Sequence, residues 1–143
     1  MGYHKEVADD ELTHQIIGVA IDVHTTLGSQ HSEQLYQEAF IHGLEDEGLE
    51  VEREKEIPVV YRGRKLDSRY ADLLVEDEVV VEIKAVKRTT VEHFNQLGTN
   101  VKLLHKTRGL LINFGESTIN VRRFANTQTA HREGRSDAVA RRR

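Results

Sequence analysis

The stretch that most constrains this chain is Arg69 to Val86, RYADLLVEDEVVVEIKAV, in which two apolar runs flank a short acidic turn. It predicts a β-hairpin. If Val75 pairs with Val79 around a loop of Glu76, Asp77 and Glu78, then Asp72 lies opposite Glu82 and Tyr70 opposite Lys84. Because side chains alternate across a strand, Ala71, Leu73, Val75, Val79, Val81, Ile83 and Ala85 share one face, and all are apolar. The other face carries Tyr70, Asp72, Leu74, Val80, Glu82, Lys84 and Val86, which sets two acids and a lysine among apolar neighbours. Two carboxylates ~5 Å apart at an effective dielectric near 20 repel by roughly 3 kcal/mol, a large share of a stability of about 5–15 kcal/mol. A divalent cation between them, a proton shared on an acid of raised pKa, or exposure to water would each offset that cost. A hard cation such as Mg²⁺ suits carboxylate oxygens best.

The elements on either side of the hairpin can be read in order. Glu6 to Leu27 has helical apolar spacing, with Asp9 or Asp10 as cap and Gly28 as stop. Ser32 caps a second helix whose stripe is Leu35, Tyr36, Ala39, Phe40 and Leu44, ending at Gly48. Glu50 to Tyr61 is highly charged and holds the only proline, Pro58, which suits an edge strand. Arg62-Gly63 turns the chain, so the first three strands form an antiparallel meander. Thr89 and Glu92 read as a capping box opening a third helix with Val91, Phe94, Leu97, Val101 and Leu104 on its stripe. Leu110 to Phe114 is a buried strand, parallel to the Glu82 strand because a helix separates the two. Thr118 to Phe124 closes the sheet.

A chain of 143 residues is one domain's worth, read here as a domain at 1–124 and a disordered, arginine-rich tail at 125–143. With no cysteine, disulfides, thiolate metal sites and cysteine nucleophiles are excluded. No apolar run approaches the ~20 residues of a membrane span, and the N-terminus lacks a signal-peptide core, so a cytoplasmic protein without membrane contact is expected. The net charge is −4, but the tail's net +3 leaves the first 124 residues at −7. Any contact with nucleic acid is therefore local. Arg62, Arg64, Lys65 and Arg69, with Lys87 and Arg88, are the local basic clusters, read either as phosphate grips or as a charged solvent face. The eight histidines form no tight ligand pair.

An acid followed about ten residues later by Glu-x-Lys across a hairpin, here Asp72 and Glu82-Ile83-Lys84, resembles the PD-(D/E)xK nuclease superfamily, with Ala71 in place of its proline. Gly28-Ser-Gln-His-Ser-Glu33-Gln-Leu-Tyr36 is similar to the helix start of the nuclease-like GxxExxY family. That likeness takes in Gln96-Leu97 and Leu110-Leu-Ile-Asn-Phe-Gly115 as well. Gln30 departs from it where a glycine usually falls, and Asn100 where a tyrosine usually follows the Gln96 position by four. The resemblance implies an α/β, restriction-endonuclease-like three-layer core with a mixed sheet of about five strands flanked by helices.

It also implies a metal-dependent nuclease. Asp72 and Glu82, with the Ile83 carbonyl, would hold Mg²⁺ or Mn²⁺, and Lys84 would position the attacking water. Glu33 would add a carboxylate from the second helix, and Gln96 a hydrogen-bonding group from the third. The implied partner is nucleic acid, DNA before RNA, with a homodimer needed to cut both strands of a duplex. Each residue also has a plainer reading: Asp72 and Glu82 as a solvated pair, Lys84 as a salt bridge to Glu82, Glu33 as a first-turn acid favoured by the helix dipole, Tyr36 as core, and Gln96 as an exposed helix glutamine. Together these plainer readings describe a catalytically inactive module that keeps the fold and binds a protein or nucleic-acid partner.

Overall fold

Asp10 opens the first helix, α1 (Glu11–Leu27), by accepting a 2.8 Å hydrogen bond from the Thr13 amide, one of the donors a helix start leaves unpaired. The computed structural model describes residues 10–127, so the expected start of this helix at Glu6 and the tail from 128 onward lie outside the described residues. Ser32 caps α2 (Glu33–Asp46) in the same way through the Leu35 amide. Tyr36, Phe40 and Leu44 are buried as their spacing predicts, but Leu35 is exposed and Ile41 is inside. The buried arc is centred on Phe40 and Leu44 and includes Ile41, and Leu35 falls on its far side.

β1 (Val51–Tyr61) and β2 (Arg64–Val75) pair antiparallel around a two-residue turn in which Arg62 and Gly63 both have positive φ. Such a turn matches the twist of its strands, and glycine takes the second position at no steric cost. β3 (Val79–Lys84) lies antiparallel to β2. The chain then crosses through α3 (Val91–Leu103) to β4 (Arg108–Asn113), which runs parallel to β3, and β5 (Asn120–Ala125) returns antiparallel along β4. The sheet order is β1-β2-β3-β4-β5, with charged, proline-bearing β1 at an edge.

α1 and α2 cover one face of the sheet, packing Ile16, Phe40 and Leu44 with Leu73, Val81, Ile83 and Ile112. α3 covers the other, setting Leu97 and Val101 with Leu74, Val80 and Leu111. The result is an α/β, restriction-endonuclease-like body of three layers around a mixed five-stranded sheet. Buried Arg108 ties two distant ends together, pairing with Asp10 at 2.6 Å and with Glu78 of the β2–β3 turn at 3.0 Å.

α3 starts one residue later than its expected capping box. Thr90, not Thr89, is the cap: its hydroxyl accepts from the His93 amide at 3.1 Å, and the Thr90 amide donates to His93 Nδ1 at 3.0 Å. The sequence offers two overlapping pairs of a threonine with a polar residue three positions on, and local pattern alone does not choose between them. Val91, expected on the buried stripe, is exposed. Ordered contacts continue past Phe124, since the Asn126 amide donates to the Thr107 carbonyl at 2.7 Å and its side chain to the Lys106 carbonyl at 2.9 Å.

Where the chain leaves β4, Gly115 passes against the segment that follows β3. A Cβ on Gly115 would sit 2.7 Å from the Ala85 carbonyl carbon and closer still to the Val86 backbone N and O. Those Val86 atoms are already held by the Asn113 side chain, which accepts from the amide at 3.0 Å and donates to the carbonyl at 2.9 Å. Gly115→Ala is therefore expected to cost on the order of 3 kcal/mol in a urea melt. Gly18→Ala on the open side of α1, where nothing lies within 4 Å of a Cβ, is expected to be neutral or to stabilise by up to about 1 kcal/mol.

Candidate metal centre

The β2–β3 ladder ends at Leu73 and Val81. Beyond that point the expected facing pairs, Asp72 with Glu82 and Tyr70 with Lys84, do not form as backbone pairs. Instead the Asp72 side chain crosses the gap, and its Oδ2 accepts a 2.7 Å hydrogen bond from the Ile83 amide. A carboxylate thus replaces the carbonyl that a continuing ladder would supply. In an antiparallel strand a residue's N–H and C=O point to the same side, so the Ile83 carbonyl faces this gap as well.

This break corrects the face assigned to Ala71. Residues two apart on a strand share a face, yet Ala71 packs with Leu74 and Val80 under α3, while Leu73 and Val75 pack under α1 and α2. The alternation slips by one residue at Asp72. On β1 the same irregularity appears at Glu54, which has φ 51° and lies between the regular pairs Arg53–Leu73 and Lys55–Ala71. A side chain in that region costs about 1 kcal/mol, and the strain is stored beside the acid that crosses the gap.

Asp72 and Glu82 come together here. Both are part-buried, and each acts on the other's carboxyl. Burial, and next the charge of Asp72, push the Glu82 carboxyl up to about 8, against the pull of an Asn100 hydrogen bond, the Asp72 backbone and Lys84. Burial also raises Asp72, while the Ile83 amide and Lys84 oppose it and Glu54 adds to it. Of the three offsets the sequence allows, burial limits exposure to water and favours a retained proton on Glu82 in the metal-free pair.

Lys84 lies where all three acids feel its charge, but among the described residues it makes no ion pair, so the expected salt bridge to Glu82 does not form. Glu33, at the first turn of α2, is brought alongside. Its carboxyl is raised first by burial, with Lys84 and His93 opposing and Asp72 adding. Tyr36 belongs to the core: it is fully buried, stacks on Phe114 with ring centroids 4.8 Å apart, and donates its hydroxyl to the Gly28 carbonyl.

Gln96 is exposed on α3. One turn on, Asn100 is the residue that reaches the acids: it is 4% exposed, and its Nδ2 donates to Glu82 Oε2 at 2.7 Å. Its Oδ1 accepts from Arg69 Nε at 2.9 Å, which completes a relay from β2 through α3 to β3. In the sequence Asn100 stands out only as a departure from an expected tyrosine. The usable signal was a polar residue at a buried helix position between Leu97 and Val101. Glu54 and His93 were also missed: a positive φ in a charged strand leaves no sequence trace, whereas Thr90-x-x-His93 was legible as a cap.

Among the described residues no three carboxylate or histidine side chains converge. The donors available are two carboxylates and a backbone oxygen. This set fits Mg²⁺, which keeps several waters and is commonly held by one or two carboxylates, and a cation would take the place of the proton that burial favours on Glu82 without it.

No curated protein and no solved structure matches the chain. A family comparison does match, over residues 10–124, to the PD-(D/E)XK nuclease superfamily. That span runs from the cap of α1 into the last strand and takes in all three layers with the broken ladder at their centre. On that ground the chain belongs to the PD-(D/E)XK nuclease superfamily.

Proposed function

We propose that this protein is a metal-dependent nuclease that hydrolyses phosphodiester bonds, with its centre at the end of the β2–β3 ladder. The observation that carries the reading is the half-buried Asp72–Glu82 pair, in which burial and then the Asp72 charge raise Glu82 to about 8 while Lys84 stands near both acids. Asp72, Glu82 and the Ile83 carbonyl would hold Mg²⁺ or Mn²⁺. Such an ion, when bound, activates water near neutral pH and neutralises charge on phosphoryl oxygens. The Ile83 amide fixes Asp72, and Asn100 fixes Glu82. Lys84 orients the attacking water and stabilises the charge that develops on the phosphorus oxygens. Glu33, whose carboxyl feels Lys84 and Asp72, and the exposed amide of Gln96 would meet the water or the phosphate.

The test is release of fragments from linear, circular and branched DNA and from RNA in Mg²⁺ or Mn²⁺, with EDTA as control. A complete panel without cleavage removes the reading. Asn100 gives a finer check, because residues that orient metal ligands typically matter 10–100-fold in metal affinity or activity. Asn100→Ala is expected to weaken Mn²⁺ binding by about that factor in calorimetry, while Asn100→Asp, which sets a third carboxylate against Glu82, lowers stability in the metal-free protein.

The second reading, an inactive binding module, is favoured by the absence of a third convergent ligand among the described residues. Calorimetry separates the two, since a silent module without metal affinity gives no heat with Mg²⁺ or Mn²⁺.

A further inference from the structure

β2 pairs with β1 along nearly its whole length but with β3 only at Leu73, Leu74 and Val75. From Ala71 back to the turn, β1 and β2 therefore run on without β3 as a two-stranded ribbon, its foot held under α3 through Ile57 and Ala71, and at ~3.4 Å per residue its tip stands about 30 Å from Asp72. Such a ribbon is marginal in water by itself. This one also exposes Val60, Tyr61, Leu66 and Tyr70, each more than half accessible. The tip is basic on an otherwise acidic body. Lys65 is taken up by Glu56 at 2.9 Å, whereas Arg62 lies over the Tyr61 ring at 5.2 Å and no described carboxylate pairs with Arg62 or Arg64.

The foot of the ribbon connects to the acids. Arg69 donates to Asn100, which donates to Glu82, so the ribbon rises from the rim of the carboxylate pair. A phosphate at that pair would bring the adjacent groove of a duplex against the ribbon. The major groove of B-form DNA, about 12 Å wide, admits a two-stranded β-ribbon, and the deep, narrow major groove of A-form RNA does not. A second copy of the chain is disfavoured as the occupant, because Pro58 interrupts the β1 edge and the register shift that leaves Leu66 unpaired interrupts the open β2 edge.

Resting on the nuclease reading above, we infer that the β1–β2 ribbon is the recognition arm of this protein: it lies in the major groove of duplex DNA, with Arg62 and Arg64 on the phosphates and Tyr61, Leu66 and Tyr70 against the groove wall.

The experiment is a fluorescence-anisotropy titration of the full chain, in EDTA to prevent cleavage, with duplex DNA, duplex RNA and single-stranded DNA of one sequence over a salt series. The probe variant is Arg62→Asn with Arg64→Gln. Asparagine tolerates the positive φ of the turn and favours it beside glycine, so lost binding is not a melted ribbon, and a thermal melt checks this. The unmodified chain is expected to bind duplex DNA at least 10-fold more tightly than duplex RNA. The variant is expected to lose about 10-fold on DNA and to lower the slope of log K against log salt by about 2, at ~0.9 per phosphate contact. Unchanged DNA affinity in the variant, or equal affinity for both duplexes, overturns the inference, as does a variant that loses only self-association in sedimentation. If the protein cleaves DNA while the variant binds normally, the ribbon inference alone falls. If it neither binds nor cleaves any nucleic acid, the nuclease reading falls with it.

Discussion

Asp72→Asn is expected to lower kcat/KM for phosphodiester cleavage by ~10³-fold or more, a loss of roughly 4 kcal/mol at the transition state, while leaving the protein folded. Asparagine keeps an oxygen that can accept from the Ile83 amide, so the local crossing between strands survives. What disappears is one of two negative charges at the gap, and with it the affinity for a divalent ion. Because the lost charge is also the one that repels Glu82, the metal-free variant is expected to be more stable than the parent. Lys84→Met separates the roles: it retains both carboxylates, so it should still bind Mn²⁺ in calorimetry yet lose ~10²–10³-fold in turnover. If Asp72→Asn cleaves at the parental rate, the centre lies elsewhere. If Lys84→Met loses metal binding and turnover in equal measure, the lysine is structural.

The second large effect is on stability against pH, in EDTA. A Glu82 carboxyl at about 8 in the folded protein, against 4.5 as its ordinary value, means that the folded state holds more protons than the unfolded state between those limits. Stability therefore falls as pH rises through that window. The raised carboxyls of Asp72 and Glu33 act in the same direction. At 1.36 kcal/mol per unit, Glu82 alone accounts for roughly 3–5 kcal/mol, which is of the order of 10 °C in melting temperature. Glu82→Gln removes that dependence and should melt well above the parent at pH 8.5 but near it at pH 5. Adding Mg²⁺ at pH 8.5 should restore the parent, by about 2.7 kcal/mol at a hundredfold excess over Kd, and should leave Glu82→Gln almost unmoved. A metal-free melting temperature that is flat from pH 5 to 8.5 would mean that the two acids are better solvated than their burial implies.

Much of the body was legible without coordinates, because each of its elements is fixed by local chemistry that repeats along the chain. Asp10 and Ser32 are short oxygen acceptors placed just ahead of helical apolar spacing, and both are caps. Arg62-Gly63 is a turn because a glycine sits where φ must be positive. The short apolar run Leu110-Leu111-Ile112 between turn signals reads as a strand buried on both faces, and all six residues of β4 are buried. The hairpin register followed from the alternation of Leu73 to Val81 and holds as far as Leu73 and Val81.

What the sequence determined by itself is thus the three-layer nuclease-like body and the strands on which Asp72, Glu82 and Lys84 lie, since periodicity and capping act over a few residues and need no knowledge of distant ones. The tertiary structure decided everything that depends on breaking those periods. It parts β2 from β3 at Asp72, turns Ala71 to the other face, sets Glu54 at positive φ, brings Asn100 onto Glu82 and Arg69 onto Asn100, and carries the β1–β2 ribbon on beyond β3. Each is an exception to alternation stabilised by contacts between residues far apart in the chain, such as the Asp72 carboxylate on the Ile83 amide, and local pattern carries no signal of a bond whose partner it does not contain.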